Sequence, residues 1–544
     1  MSMLDWFLGI PGVDPGDDIP PTIVISSAAT SPVGSTIQIT AVASEPVYNL
    51  LAGGIAGTGC VISNLQTADN ITWTFDATPD FSGDMSVQIP AGVCTDKADN
   101  LNAASNSLTL QIAKVYGVSW DKGSSPVLTR TDDAVGMTAN AGVDATPVVN
   151  DFDTAQIFGD ITEVADAAGN TLVRIPKFYI KKADGVGSKT WQISYSSARL
   201  GDGAYLPWCF WDFTNGVALP HIDIGKYPAT LSADNKLESK PGKYPLINKN
   251  IVEMRGYAEA NGASYQQMDI HAVDVLQTLF YVEFATLNCQ AIMAGYTAGQ
   301  YSASHTATVA ENNTNRIIVA TATANLYAVG QAISVGTSLG GNQIFYGRTI
   351  TSIDVYDASN KALVFDGATV NIAVGNIVYN TGWLNDFSGW ITASSGSLVS
   401  NSSGKYPCVY RGIENPYGNI WQFVDGLNIN EYQAWVALNA DDYASNLFAA
   451  PYVSLSYVDH NADGYVTAMG WDATKPYAAL PTAVGGAAAT HYADNCYRGT
   501  GQRIALLGGY WGNASNAGLS CWNLDSASSL ANVALGARLL RKAL

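Results

Sequence analysis

Between residues 21 and 114 the apolar residues fall at every second position within short runs: TIVISS, STIQITAVAS, NITWTFDA, MSVQIPAG and SLTLQIAK. A two-residue period is the mark of strands buried on one face. The clusters SPVGS, TPDFSGD and TDKADN divide the runs with the Gly, Pro, Asp and Asn that turns use. Six or seven short strands at this spacing predict a β-sandwich over 21–114. Past Val115 the texture changes. WDKGSSPVLTRTDD, DATPVVNDFD and LVRIPKFYIKK predict a β-rich connecting segment over 115–200, with Ile175, Phe178 and Ile180 as core. Arg174, Lys177, Lys181 and Lys182 would form a basic edge that protects the strand from pairing.

A helical period appears between 249 and 290. After Asp269, a candidate N-cap, Ala272, Val275, Leu276, Leu279, Phe280 and Phe284 fall on one face, which predicts a helix with a core-facing stripe. VEMRGYAEANG predicts a shorter helix closed at Asn261-Gly262. Residues 303–380 return to short apolar runs (IIVATA, QAISVG, RTITSIDVY, KALVFDG, NIVYN) and predict a small β insertion. A weak internal echo lies within it: Ala328-Val329-Gly330-Gln331 and Ala373-Val374-Gly375-Asn376. Residues 381–544 are rich in Trp, Gly and Asn, with few helical periods. The pattern divides the chain into 1–20, 21–114, 115–200, 201–302, 303–380 and 381–544, mainly β with some α.

Composition narrows the function. Lys+Arg 27 against Asp+Glu 46 gives a net charge of −19 over 544 residues. That balance argues against nucleic acid and anionic membranes as partners, since both require clustered Lys and Arg. No apolar run reaches the ~18 residues of a spanning helix, so no membrane insertion is expected. The N-terminus has no basic stretch and does not read as a signal peptide. Its Leu4, Trp6, Phe7 and Leu8 precede PGVDPGDDIPP, which reads either as a disordered leader or as a docking peptide on a stiff proline linker. Cysteines 60, 94, 209, 289, 408, 496 and 521 are dispersed, odd in number and without CxxC, which reads as buried free thiols. Cys60 and Cys94 remain open as a pair across the sandwich or as free thiols.

Candidate catalytic motifs are weak. Gly336-Thr337-Ser338-Leu339-Gly340 matches GxSxG but is followed by Gly341-Asn342-Gln343 and further strand, so it reads as a turn rather than a nucleophile elbow. Asp459-His460-Asn461-Ala462-Asp463-Gly464 resembles the start of a calcium loop, yet the twelfth position is Gly470 where a bidentate Glu is needed. A hairpin turn at 461–464, between VSLSY and YVTAM, is the preferred reading, with calcium left open. His491, Asp494 and Cys496 lack a fourth ligand, and Gly499-Thr500-Gly501 is too short for a phosphate loop. No cofactor or metal is expected.

The C-terminal third is more informative. GIENPYGNIWQFVDG (412–426) sets an aromatic strand after a Pro/Gly turn, and 505–540 mixes Tyr510, Trp511 and Trp522 with Gly, Ser and Asn. Rigid aromatics beside adaptable polar residues suit ligand binding; the alternative is a Gly-rich packing segment. GIENPYGNIWQFVDG together with LLGGYWGN…LGARLL resembles the C-type-lectin-fold proteins related to formylglycine-generating enzymes. More narrowly, it resembles phage tail proteins diversified by retroelements. SWDKGSSPVLTRTDDAVGM, LVRIPKFYIKK, LESKPGKYPLIN and VDVLQTLFYVEFATLNCQAIMAG extend that likeness over 115–544 outside the insertion. FSGDMSVQIPAGVCTDKADNLNAAS resembles bacterial Ig-like domains.

The enzyme branch carries a C-x4-C thiol pair beside its GGSW-like segment. Here Gly508-Gly509-Tyr510-Trp511 is followed by Cys521 alone, so the resemblance implies a binder rather than an oxidase. In the diversified relatives template Asn codons become many residues but never Trp. This implies ligand-binding, changeable positions at Tyr510, Gly512, Asn513, Ser515, Ser520, Cys521, Asn523, Asp525 and Ser526. Trp421, Gly508, Gly509, Trp511, Trp522, Gly536 and Arg538 would be scaffold. Cys521 is then expected on the exposed face, where codon randomisation accounts for it. The resemblance implies a phage tail fibre adhesin that binds a host cell-surface receptor, glycan or protein. It would be a homotrimer, joined to other tail proteins through its N-terminus, assembled in the host cytoplasm and carried on the virion. The Ig-like domain would be a spacer or auxiliary adhesin. The alternative is a cellular or prophage-encoded surface protein of the same fold.

Overall fold

The N-terminal alternation becomes two facing sheets. In the computed structural model, which describes residues 17–143, 146–455 and 461–544, one sheet runs in the order Ile23–Ser26, Ile37–Ala43, Thr72–Pro79, Cys60–Thr67. The other runs Ala56–Thr58, Met85–Gln88, Leu108–Leu110. Ile37, Ile39, Ala41 and Ala43 point inward along one strand and meet Phe75, Met85 and Val87 in a shared core. The sequence pattern missed Cys60–Thr67 because none of its residues is fully buried and its register slips between Ser63 and Gln66. Cys60 and Cys94 are both free thiols. The candidate docking residues Leu4, Trp6, Phe7 and Leu8 lie outside the described residues, as do Asp459 and His460.

The described residues form two compact units. The first takes in the described chain from Asp17 to Val115 and the segment Ser194–Ala204; the second takes in the described residues of Tyr116–Ile193 and Tyr205–Leu544. Within the first, the Arg199 guanidinium lies 3.9 Å above the Phe81 ring and donates to the Ala113 carbonyl at 3.0 Å.

The second unit is built around the helix Ile270–Phe284. The Asp269 carboxylate accepts from the Ala272 N–H at 2.8 Å, the predicted cap. The predicted one-sided stripe is corrected: all 15 residues of the helix are buried, because strands surround it. Several of its polar residues are therefore paired inside the protein, while the Thr278 hydroxyl is buried without a partner. Gln277 donates to the Leu519 carbonyl at 2.7 Å, and Glu283 accepts from Arg411 and from Asn150. Asp274 pairs with Lys182 and accepts from the Tyr205 hydroxyl at 2.7 Å. Lys182 thus does not protect an edge: its side chain is 2% exposed and neutralises a buried carboxylate.

A large sheet runs in the order Val453–Ser454, Gln433–Val436, Trp421–Asn430, Gln502–Gly508, Gly518–Ser526, Asn495–Arg498, Gly464–Asp472, Lys475–Val484. Gly464–Asp472 pairs with Lys475–Val484, and Val453–Ser454 with Gln433–Val436. Among the described residues, Val453–Ser454 and Gly464–Asp472 do not pair with each other as the hairpin expected at 461–464 between VSLSY and YVTAM requires. A second sheet joins Thr162–Ala165, Thr171–Pro176, His221–Gly225, Leu539–Lys542 and Tyr265–Gln267. Here Ile224 faces Leu540, so the chain's last strand closes against its 115–230 region. Ile175, Phe178 and Ile180 are buried.

The insertion has its own sheet and its own core, including Ile317, Ile333, Ile350 and Phe365. The GxSxG match is a hairpin turn: Ser338 pairs with Gly341. The internal echo is structural. In both copies the fourth side chain accepts from the first N–H, Gln331 from Ala328 at 2.8 Å and Asn376 from Ala373 at 2.7 Å. Gly330 and Gly375 have φ of 90° and 88°, which glycine adopts without strain. The two turns launch the paired strands Ala332–Ser338 and Ile377–Asn380. No helix among the described residues is long and apolar enough to cross a membrane.

Candidate functional site

Strand Gln502–Gly508 leaves the large sheet at two glycines. A Cβ on Gly508 would lie 3.1 Å from Tyr417 Cα, and one on Gly509 would lie 2.7 Å from Ala517 Cβ. Both also have positive φ, so the close turn needs glycine at each. Tyr510 N–H then donates to Asn513 Oδ1 at 2.9 Å, and Asn513 Nδ2 donates to the Tyr497 hydroxyl at 3.1 Å. Trp511 is fully buried against Tyr296, Trp383 and Ile420, and the half-buried Tyr510 ring stands edge-on to it at 5.3 Å. Strand Gly518–Ser526 returns beside Gln502–Gly508, with Trp522 opposite Leu507.

Beneath Tyr510 lies a cavity of about 340 Å³. Trp421, Tyr510, Trp511, Asn523 and Ser526 line it, together with Tyr301 from just before the insertion and residues of the 530–535 loop. The Tyr301 ring stands edge-on to Tyr379, in the last strand of the insertion, at 5.5 Å. Its hydroxyl abuts Gly340, where an added Cβ would come within 2.1 Å of it. Asn523 Oδ1 accepts from the Ser526 hydroxyl at 2.8 Å and the Asp525 N–H at 3.2 Å. Burial raises the Tyr510 phenol above its usual range, with Tyr301 adding to the shift. No charged side chain is among the described residues that line the cavity.

The structure divides the sequence-predicted positions. Tyr510, Asn523 and Ser526 meet in the cavity, while Gly512, Ser515 and Asp525 are exposed beside it and Asn513 is half-buried. Gly512 packs under the Tyr510 ring, 2.9 Å from where a Cβ would stand. Ser520 and Cys521 are corrected: both are fully buried. Ser520 shares a 2.5 Å hydrogen bond with the Tyr281 hydroxyl, and its N–H donates to Asp494 at 2.7 Å. Cys521 packs with Phe423, Ile504 and Leu506, and burial pushes its thiol well up. The reason is that Gly518–Ser526 runs between two strands of the large sheet, with both faces covered at this point. Tyr301 and the 530–535 loop carry no sequence signal that ties them to Tyr510; only the fold brings them there.

The predicted scaffold residues are all buried. A Cβ on Gly536 would lie 2.4 Å from Ile420 Cδ1. Arg538 donates to Gln422 Oε1 at 2.8 Å and to the carbonyls of Gly225, Lys226, Glu414 and Asn415 at 2.7–3.0 Å. Burial pulls its guanidinium down to about 9. The Glu414 carboxylate accepts from Ser388 and Asp386 N–H groups at 2.8 and 3.1 Å, yet burial pushes it up to about 7.

Because Glu414 ionises less readily when folded, its contribution to stability is full below its ordinary value of 4.5 and is lost as pH rises through about 7. The wild type should lose on the order of 3 kcal/mol from this group between about pH 4.5 and pH 8. Urea unfolding across that range checks it: Glu414→Gln should flatten the fall, and an unchanged slope would refute the assignment.

His491, Asp494 and Cys496 do not form a ligand set. The His491 ring stands edge-on to Trp120, while Asp494 is turned to Ser520. Among the described residues, three carboxylates that do converge are Asp17, Glu45 and Asp96 of the first unit, within 4.8 Å of one another.

Residues 17–112 match the family model of bacterial Ig-like domains, and this span is an Ig-like domain. No curated protein matches the chain. The Ig-like match ends before the second unit, so the class it defines applies to the first.

Proposed function

We propose that the chain is a phage tail adhesin whose second unit, a C-type lectin fold, holds a host-surface ligand in the cavity beneath Tyr510. The observation that carries this reading is the convergence of Tyr510, Asn523 and Ser526, three positions of the variable-type segment, in one cavity walled by Trp421 and Trp511. Rings supply contact area at low entropic cost, and the amide and hydroxyl supply orientation. Buried scaffold around the segment (Gly508, Gly509, Trp522, Arg538) lets its exposed residues change without moving the backbone. On this reading the Ig-like domain is a spacer, and the protein is a homotrimer that presents several sites to one cell, raising avidity through effective concentration.

Binding of the purified protein to bacterial cells tests it. Truncating a central ring costs about 2 kcal/mol, roughly thirtyfold in Kd. Tyr510→Ala/Asn523→Ala should lose at least that while keeping the native unfolding transition. Equal binding by the folded variant would move adhesion elsewhere in the chain.

A further inference from the structure

We infer that the ligand of the cavity is an uncharged sugar, and that Tyr301, set in place by the insertion, is a specificity-determining wall of its site. This rests on the proposed binding role of the same cavity. Three features select the ligand class.

The first is charge. No lysine, arginine, histidine or acid is among the described residues that line the cavity. An ionic ligand group taken in there would lose its hydration without gaining a counter-ion. The chain's net charge of −19 further disfavours an anion.

The second is the pairing of rings with neutral polar groups. Tyr301, Trp421 and Tyr510 offer aromatic surface, while Asn523, Asn532 and Ser526 offer amides and a hydroxyl. A pyranose has apolar C–H faces for the rings, and each of its hydroxyls both donates and accepts, as an amide does.

The third is size. At about 340 Å³ the cavity is at the small end of small-molecule sites. A stable protein interface buries roughly 800 Å² per partner and would have to engage the surface around the cavity as well. A sugar at the end of a surface polysaccharide can be held by the cavity alone.

Tyr301 connects this site to the insertion. Its ring rests on Tyr379 and its hydroxyl on Gly340, both insertion residues. The insertion thereby sets one wall of a cavity whose other walls come from the C-terminal segment.

The test uses the full chain in two arms. In the first, calorimetry compares methyl glucoside, galactoside and mannoside with the matching uronic acids and 2-amino sugars. At least one neutral glycoside should bind, with its uronic acid at least about tenfold weaker. Tyr301→Ala should abolish that binding, and Tyr301→Phe, which keeps the ring, should stay within about threefold. A uronic acid that binds as well as its neutral parent, or Tyr301→Ala binding like wild type, overturns the inference. In the second arm, cells are treated with periodate or with protease before binding. Loss of binding after periodate but not after protease supports a sugar. Loss after protease alone, with Tyr510→Ala/Asn523→Ala still defective, overturns the sugar and leaves the adhesin reading standing. Full cell binding by Tyr510→Ala/Asn523→Ala removes the cavity as the adhesion site, and the sugar with it.

Discussion

Arg538→Lys is expected to destabilise the second unit by about 4 kcal/mol or more, enough to bring unfolding close to native conditions for a domain of ordinary stability. The guanidinium satisfies five acceptors at once: the Gln422 side chain and the carbonyls of Gly225, Lys226, Glu414 and Asn415. These belong to three separate stretches of chain: the His221–Gly225 strand end, the Ile413–Glu414 strand end and the Trp421–Asn430 strand. A lysine presents three donors on a single nitrogen and cannot span them. Each carbonyl left unmet in the buried site costs about 1–3 kcal/mol, so losing two or three of them accounts for the total. Four of the five acceptors are backbone carbonyls whose positions the fold already sets, so they cannot turn to water. Urea unfolding followed by tryptophan fluorescence measures the effect. A loss below about 1 kcal/mol would show that the five bonds do not hold these segments together.

Lys182→Met should cost about 3–5 kcal/mol, because it strands the Asp274 carboxylate in the core with only the Tyr205 hydroxyl beside it. The side chains of both partners are 2% exposed. Lys182 also packs 5.6 Å from the centre of the Trp471 ring, which adds an aromatic contact to the ion pair. The double variant Lys182→Met/Asp274→Leu separates the two contributions. An apolar pair removes the uncompensated charge, so it should recover most of the loss, leaving the Tyr205 hydroxyl with only its longer 3.4 Å bond to the Pro476 carbonyl. If the double variant is as unstable as the single, then the ion pair itself, rather than the stranded charge, sets the stability here.

Several elements were legible because their signals are local. The strands Ile23–Ser26, Ile37–Ala43 and Thr72–Pro79 alternate cleanly, and each buries the alternate set. The Asp269 cap and the helix it opens were readable from adjacent residues. The weak Ala-Val-Gly echo of the insertion was visible too, and the structure makes each copy a turn in which a glycine with positive φ and an amide one residue later close the same hydrogen bond. Cys60–Thr67 was hidden because a strand without a fully buried face carries no period.

The candidate site was half legible. Tyr510, Asn523 and Ser526 stand in the segment that the resemblance singled out, and they meet in the cavity. Ser520 and Cys521 stand in the same segment and are interior. Their small, mixed polarity says nothing about which strands will flank Gly518–Ser526, and it is those neighbours that bury them.

The sequence alone determined the Ig-like strand pattern, the capped central helix, the insertion's repeated Ala-Val-Gly motif and the aromatic, small-residue C-terminal segment, because each depends on residues within a few positions of one another. Tertiary structure alone decided that Lys182 neutralises Asp274, that Cys521 is core, and that Tyr301 and Tyr510 share one cavity. These relations join residues far apart in the chain. They depend on which strands lie side by side, and that choice is made by burial of the whole fold rather than by any local preference.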